Sequence, residues 1–438
     1  MKLWEKDESR ILKIVEEFEV GKDYIYDREI ATYDVIGTIA HVKMLNKIGI
    51  LSDEERDKVV VELEKLLQSF RENLPSLKVE DEDIHTYIEN HIVSKLGDLG
   101  KKIHTGRSRN DQVLTALRLY EKDKINQIIQ KLTSLIQKLK HLSDTYLDKP
   151  LIGYTHLKQA MPTTVDTWIN SFAEALDDDR KLLGTLLEFI DRNPLGSSAG
   201  YGFPIKLDRD FTTKALGFSD FIRNHIYAQN TRGKYESFVI FALTTTVSDI
   251  SRFANDVILF SSDEFGFIKL GKEITTGSSI MPHKKNPDVF ELMRAKSKKL
   301  LGYLVSTISI TSSLPSGYSK DLQETKETII EAINETTKIL DVLEEIVEYI
   351  HFDEDAVFSK MKKDIFSVDI AVSVMEKFNI PFRDAYRKVG STIEKYQKTN
   401  GKDIQDYDEI EREIVRYLEM DVKELYNTMI NKRKQRGV

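Results

Sequence analysis

Residues 322–350 read LQETKETIIEAINETTKILDVLEEIVEYI, and their periodicity decides the fold class. Ile329, Ile333, Thr336, Leu340, Leu343, Val347 and Ile350 recur at alternating steps of four and three, the period of a helical seam and not of a strand. Working outward, the same steps link Ile125, Ile129, Leu132, Ile136 and Leu139 between 118 and 148. A third stretch, 235–262, with FVIFALTTTV and FANDVILF, is apolar enough to be buried on several sides. The nine prolines leave these intervals uninterrupted. No period-2 strand run or βαβ alternation is visible. An all-α chain with a long central helical bundle is expected, its 30-residue helices running about 45 Å. Punctuation at GDLGKKIHTG and FDEDAVF divides it into an N-terminal helical part (1–105), the bundle (106–352) and a smaller helical part (353–438).

Composition narrows the function classes. The 438 residues are 40% hydrophobic, enough for a sizeable core. With no cysteine, thiolate metal sites, disulfides and thiol nucleophiles are excluded, and a cytoplasmic home is expected. MKLWEKDESR has no apolar signal core, and no run approaches the roughly 20 apolar residues of a membrane span. The net charge of -8 comes from 64 basic and 72 acidic residues mixed along the chain, which argues against a nucleic-acid surface. The basic tail NKRKQRGV reads as a frayed, solvated end.

Four polar clusters fall where long helices begin or end. In HTGRSRNDQV (104–113), capping explains Ser108, Asn110 or Asp111 singly, but Arg107 and Arg109 together suggest an anion site. GYTHLKQAMP (153–162) carries His156, placed between helices as a titrating imidazole or as a hydrogen-bonded structural residue. In GYSKDLQETK (317–326), Asp321 and Glu324 fit a capping box. Gln323 and Lys326 then share a helical face, with Tyr318 ahead of them, a set suited to a carboxylate. In TGSSIMPHKKNPDVFE (276–291), Asn286, Pro287 and Asp288 spell a helix start, with Glu291 about one turn in. Gly277 allows a hinge, so Ser278 and Ser279 sit on a loop able to close. Lys284, backbone N–H dipoles and loss of water would lower the cost of a serine alkoxide there.

Other chemistries lack their signatures. The histidines show no HExxH-like spacing, and His85 and His91, six apart, share a helical face poorly. Neither a GxxxxGK[ST] nor a GxGxxG loop occurs. GSSAG (196–200) follows a helix and a proline instead of the strand that a serine-hydrolase elbow needs.

GSSIMPHKKNP resembles the GSSxMPxKxNP signature of the fumarase/aspartase superfamily, and HTGRSRNDQV, GYTHLKQAMP and YSKDLQETK resemble its argininosuccinate lyase branch. DEDIHTYIE and SSDEFGFIKL extend the likeness over nearly the whole chain. The resemblance implies a three-domain helical protomer, a 20-helix core in a homotetramer, and active sites each shared by three subunits. It implies elimination of fumarate from argininosuccinate, yielding arginine, with neither metal nor organic cofactor. By the same resemblance Ser278 is the base, Lys284 and Asn286 hold the carboxylate and intermediate, and His156, polarised by Glu291, is the acid. Asp27, Asn110, Thr155, Tyr318, Gln323 and Lys326 match substrate contacts, and Arg109 an arginine near the fumarate moiety.

The chain departs from that pattern in three places. Where the family has a serine in FxxSxxYD, GKDYIYD has Asp23, which, if it points inward, would pair with an amino or guanidinium group; Asp27 keeps the YD part. RNHIYAQNTRGKYESF replaces NSxDxVSDRD, leaving Arg232 as the substitute arginine. GSSAGYGFP replaces GSGAxxGT, with Tyr201 and Phe203 as added bulk and Phe203 expected to pack. A sister lyase acting on another adduct such as adenylosuccinate, or a crystallin-like structural protein on the same scaffold, are the competing readings.

Overall fold

The computed structural model describes residues 12–399 and 406–437; MKLWEKDESR, read above as lacking a signal core, lies outside them. Helices dominate, and the three periodic stretches are helical: Arg109–Thr145, Lys234–Phe260 and Thr325–Ile346. Every residue of the 329–350 seam is buried, Thr336 included, its hydroxyl satisfied by the Ala332 carbonyl at 2.8 Å. On the Arg109 helix the buried line runs through Ile125, Ile128, Leu132, Leu135 and Leu139. Ile129, chosen from the sequence, is only half-buried, because the apolar pair Ile128–Ile129 gives two lines of equal period. Among the described residues, no helix is long and apolar enough to cross a membrane.

Contacts divide the chain into two compact units, each built from three segments. Unit 1 comprises Met1–Leu135, Ala175–Ser251 and Met293–Leu343. Within it the helix Asp23–Lys47 buries Ile30, Val35, Val42 and Leu45 and packs against Asp53–Glu72 and Ile84–Leu96. The Asp53 helix starts in a reciprocal cap, Ser52 Oγ accepting the Glu55 N–H at 3.2 Å and Glu55 accepting the Ser52 N–H at 2.9 Å. Asp83 caps Ile84–Leu96 by accepting the Thr86 N–H at 2.7 Å.

Unit 2 comprises Ile136–Glu174, Arg252–Leu292 and Glu344–Val438. Trp168 stacks on Phe253 with ring centroids 5.4 Å apart and donates its indole N–H to Asp256 at 3.0 Å. Here two expectations are corrected. GYTHLKQAMP is not an interhelical loop: Pro150–Thr155 and Lys158–Thr164 form an antiparallel hairpin. A bulge at Gly153/Tyr154 breaks the alternation that would have announced it, and a Cβ on Gly153 would lie 2.9 Å from the Met161 carbonyl oxygen. The basic tail is not frayed either, since it ends the helix Val422–Gln435. Arg433 holds Asp369 through two nitrogens at 2.5 and 2.8 Å, and Lys432 donates to Tyr417 at 2.8 Å and Ser373 at 3.0 Å.

Candidate functional site

Unit 1 contains a cavity of about 220 Å³ to which five separate stretches contribute. Arg109 and Asn110 come from the N-terminal turn of the Arg109–Thr145 helix, and Tyr318, Gln323 and Lys326 from the approach to the Thr325–Ile346 helix. Asp23 and Arg232, where the family pattern changes, line it too, as do Glu82, Asp83 and His85. Sequence reading left these last three out of the site. The signal for the acids was the run DED directly before a helix, in which capping accounts for Asp81 and Asp83 but not for Glu82.

Local structure explains each placement. Ser108 begins the Arg109 helix, its Oγ accepting the Asn110 N–H at 3.3 Å while Asp111 accepts the Ser108 N–H at 2.9 Å. The second oxygen of Asp111 accepts the N–H groups of Gly196 at 3.0 Å and Ser198 at 2.8 Å, so GSSAG is a backbone anchor. Ahead of Lys326, the segment Lys320–Glu324 is a 3-10 turn with no side-chain cap, which corrects the expected Asp321/Glu324 capping box. Gln323 donates to the Glu19 carbonyl at 2.9 Å, tying that turn to the chain just before Asp23.

The two arginines expected to act together do not. Arg107 turns into the protein and donates to Thr38 Oγ1 at 2.8 Å, whereas Arg109 faces the cavity. Arg109 donates to Glu82 at 2.8 Å and Thr86 at 2.5 Å, with Asp83 3.5 Å away. Burial works against its charge, but Asp83 and Glu82 outweigh it and raise its pKa.

Lys326 stands between two carboxylates. It is fully buried, hydrogen-bonds Asp27, and lies 3.1 Å from Asp23. Burial opposes its charge, yet the two carboxylates push it up to about 12. Asp27 is sealed from solvent, and its other oxygen accepts the Ile84 N–H at 3.0 Å, so in this structure it holds Lys326 in place. His85, buried beside Asp34 at 3.1 Å, is another ion pair at this wall; burial disfavours its cation, but the carboxylate raises its pKa.

Gly233 sets the position of Arg232. Its φ is +77°, and a Cβ there would meet Thr311 Cγ2 at 2.1 Å. Gly233→Ala is expected to cost roughly 2–4 kcal/mol, summing left-handed strain and overpacking, and thermal unfolding reads it directly.

The other predicted residues lie in unit 2. The loop 277–285 is closed at its neck by Thr276 and Asn286, which exchange backbone hydrogen bonds of 3.1 and 2.8 Å, while the Thr276 hydroxyl donates to Asp288. The helix Asp288–Thr311 begins where NPD predicted. Ser278 Oγ accepts the N–H groups of Met281 at 3.1 Å and Ile280 at 3.3 Å, so two backbone dipoles already point at the oxygen. Lys284 is exposed, as is His283, and Asn286 is half-buried. His156 and Leu157 occupy the hairpin turn with φ of 53° and 57°, and Thr155 precedes them, exposed. Glu291, also exposed, is in the first turn of its helix. Among the described residues, His156 and Glu291 share no hydrogen bond. The chain therefore gathers Arg109, Asn110, Tyr318, Gln323 and Lys326 in a cavity of unit 1, while Asp27, expected as a substrate contact, is instead sealed behind Lys326, and Ser278, His156, Lys284 and Glu291 are open to solvent or nearly so.

A family model described as lyase matches residues 15–302. The argininosuccinate lyase of Thermotoga neapolitana is 45% identical over 395 residues, covering 90% of this chain and 98% of that protein. That of Phocaeicola vulgatus is 43% identical over 405 residues, covering 92% and 90%. Among solved structures, EDDS lyase in complex with formate superposes with a TM-score of 0.76 at 22% identity, covering 94% of this chain and 83% of its own. The class II fumarase from Schistosoma mansoni gives 0.71 at 17% identity, covering 88% and 90%. These structural likenesses establish the helical fold.

Proposed function

We infer the reaction from kinship: the chain belongs to the argininosuccinate lyase family, within the fumarase/aspartase superfamily, and is a lyase. Its proposed reaction is the reversible elimination of fumarate from argininosuccinate to give L-arginine, in the cytoplasm and late in arginine synthesis. One observation carries this beyond kinship. Arg109, Asn110, Tyr318, Gln323 and Lys326, read from two motifs some two hundred residues apart in the sequence, line one cavity. A structural protein on this scaffold would not require that convergence.

The chemistry then follows from the groups available. The Cβ proton of the succinyl moiety is weakly acidic, and its removal leaves an aci-carboxylate with extra negative charge. Ser278 takes that proton, its alkoxide held by the N–H groups of Ile280 and Met281. Lys284 and Asn286 hold the carboxylate whose charge grows. The C–N bond breaks, its electrons leave with the guanidinium nitrogen, and His156, paired with Glu291, returns a proton there. Closure of the 277–285 loop excludes water at that moment.

This reading includes a homotetramer in which each active site takes residues from three subunits, and a division of the chain at 105/106 and 352/353. Supporting the assembly, Leu301, Val305 and Ile308 form an exposed apolar stripe, each more than half accessible, at steps of four and three. Val305→Asp is expected to yield a smaller species by light scattering and to lower turnover in proportion to the tetramer lost. The function is tested by following fumarate absorbance when purified protein meets argininosuccinate; no release would overturn it.

A further inference from the structure

We propose that Asp23 is a specificity-determining residue that accepts the α-ammonium of an amino-acid head group, while Lys326, released from Asp23, takes the neighbouring carboxylate. The proposal rests on the function just inferred and names which end of the substrate unit 1 holds.

Two carboxylates surround one ammonium, and they are not equivalent. Asp27 is sealed, hydrogen-bonded to Lys326 and to the Ile84 N–H, and suffices to hold the lysine. Asp23 borders the cavity, and its ion-pair partner among the described residues is Lys326, already shared with Asp27. Removal from water, with Asp27 nearby, outweighs the opposing charges of Lys326 and Arg232 and raises its pKa to about 6. A second acid kept this poorly compensated in the free protein is explained if a ligand supplies the missing cation.

The geometry selects the kind of cation. An α-amino acid carries ammonium and carboxylate on one carbon, within hydrogen-bond reach of each other. Asp23 and Lys326 stand 3.1 Å apart at the cavity wall with opposite charges. A zwitterion laid across them exchanges one internal ion pair for two external ones, with no net charge brought into the site. A bare guanidinium would satisfy Asp23 but leave Lys326 nothing to gain, and a bare carboxylate would do the reverse. Asp23 stands where the family resemblance places serine, a residue that offers no charge to an ammonium.

Direct calorimetric binding to the full-length protein, which needs no turnover, tests this with three probes. L-arginine has both head charges, agmatine lacks the carboxylate, and 5-guanidinopentanoate lacks the ammonium. Wild type is expected to bind L-arginine at least about tenfold more tightly than either analogue, the size of one charge-assisted hydrogen bond. Asp23→Asn is expected to weaken L-arginine by about tenfold and to leave 5-guanidinopentanoate within about twofold. Asp23→Ser, which restores the family's residue, is expected to show the same selective loss. Equal weakening of all three probes, an unchanged L-arginine affinity, or a loss confined to 5-guanidinopentanoate overturns the proposal. A wild type that shows the selective pattern but releases no fumarate from argininosuccinate would sink the reaction and leave the head-group site standing. Active protein without the selectivity would do the opposite.

Discussion

Ser278→Ala is expected to lower fumarate release by at least about 10²–10⁴-fold, the range for loss of a positioned general base. The side chain does two things in the structure: its oxygen is the proposed proton acceptor, and it accepts the N–H groups of Ile280 and Met281. Removing it therefore loosens a turn of the loop as well as deleting the base. Steady-state constants separate the two effects. A fall in kcat with KM little changed marks loss of an interaction made in the transition state, whereas a rise in KM alone marks a disturbed loop. The neck formed by Thr276 and Asn286 does not involve the Ser278 side chain, so the loop should remain anchored.

The second large effect is expected at His156. His156→Asn should lower kcat by about 10²-fold or more, because an amide cannot deliver a proton to a departing guanidinium nitrogen. Asparagine is the informative replacement because His156 sits at φ 53°, a left-handed conformation that asparagine tolerates better than most residues. The hairpin turn should thus survive, which circular dichroism and thermal unfolding would check. Glu291→Gln should lower kcat less than His156→Asn does, since Glu291 acts through His156.

How much of this was legible in the sequence depended on the physical scale of each signal. The seam was read correctly from Ile329 to Leu343, where burial enforces the period along the helix; Val347 and Ile350, buried too, lie beyond its end at Ile346, in a 3-10 turn and a strand. The hairpin around His156 was missed because its alternation is short, interrupted by a bulge, and closed by His-Leu where Asn-Gly would announce a tight turn. The clusters at 109–110 and 318–326 were recognised as polar groups at helix starts, and they do line one cavity. Their partners were not legible, because an ion pair such as Lys326 with Asp23 and Asp27 joins residues about three hundred positions apart. Arg107 and Arg109 looked equivalent in the sequence, yet two residues along this segment turn one inward to Thr38 and the other toward Glu82. Local spacing identifies which residues are chemically able. Only packing determines which of them face the same space.

The central claim is the reaction itself, and a substrate comparison tests it most directly. Purified protein is incubated with argininosuccinate, adenylosuccinate and aspartate-derived adducts of other amines, and fumarate is measured by absorbance. The expected result is rapid fumarate release, with equimolar L-arginine, from argininosuccinate alone. Preferential release from adenylosuccinate, or none from any adduct by a well-folded oligomer, would contradict it.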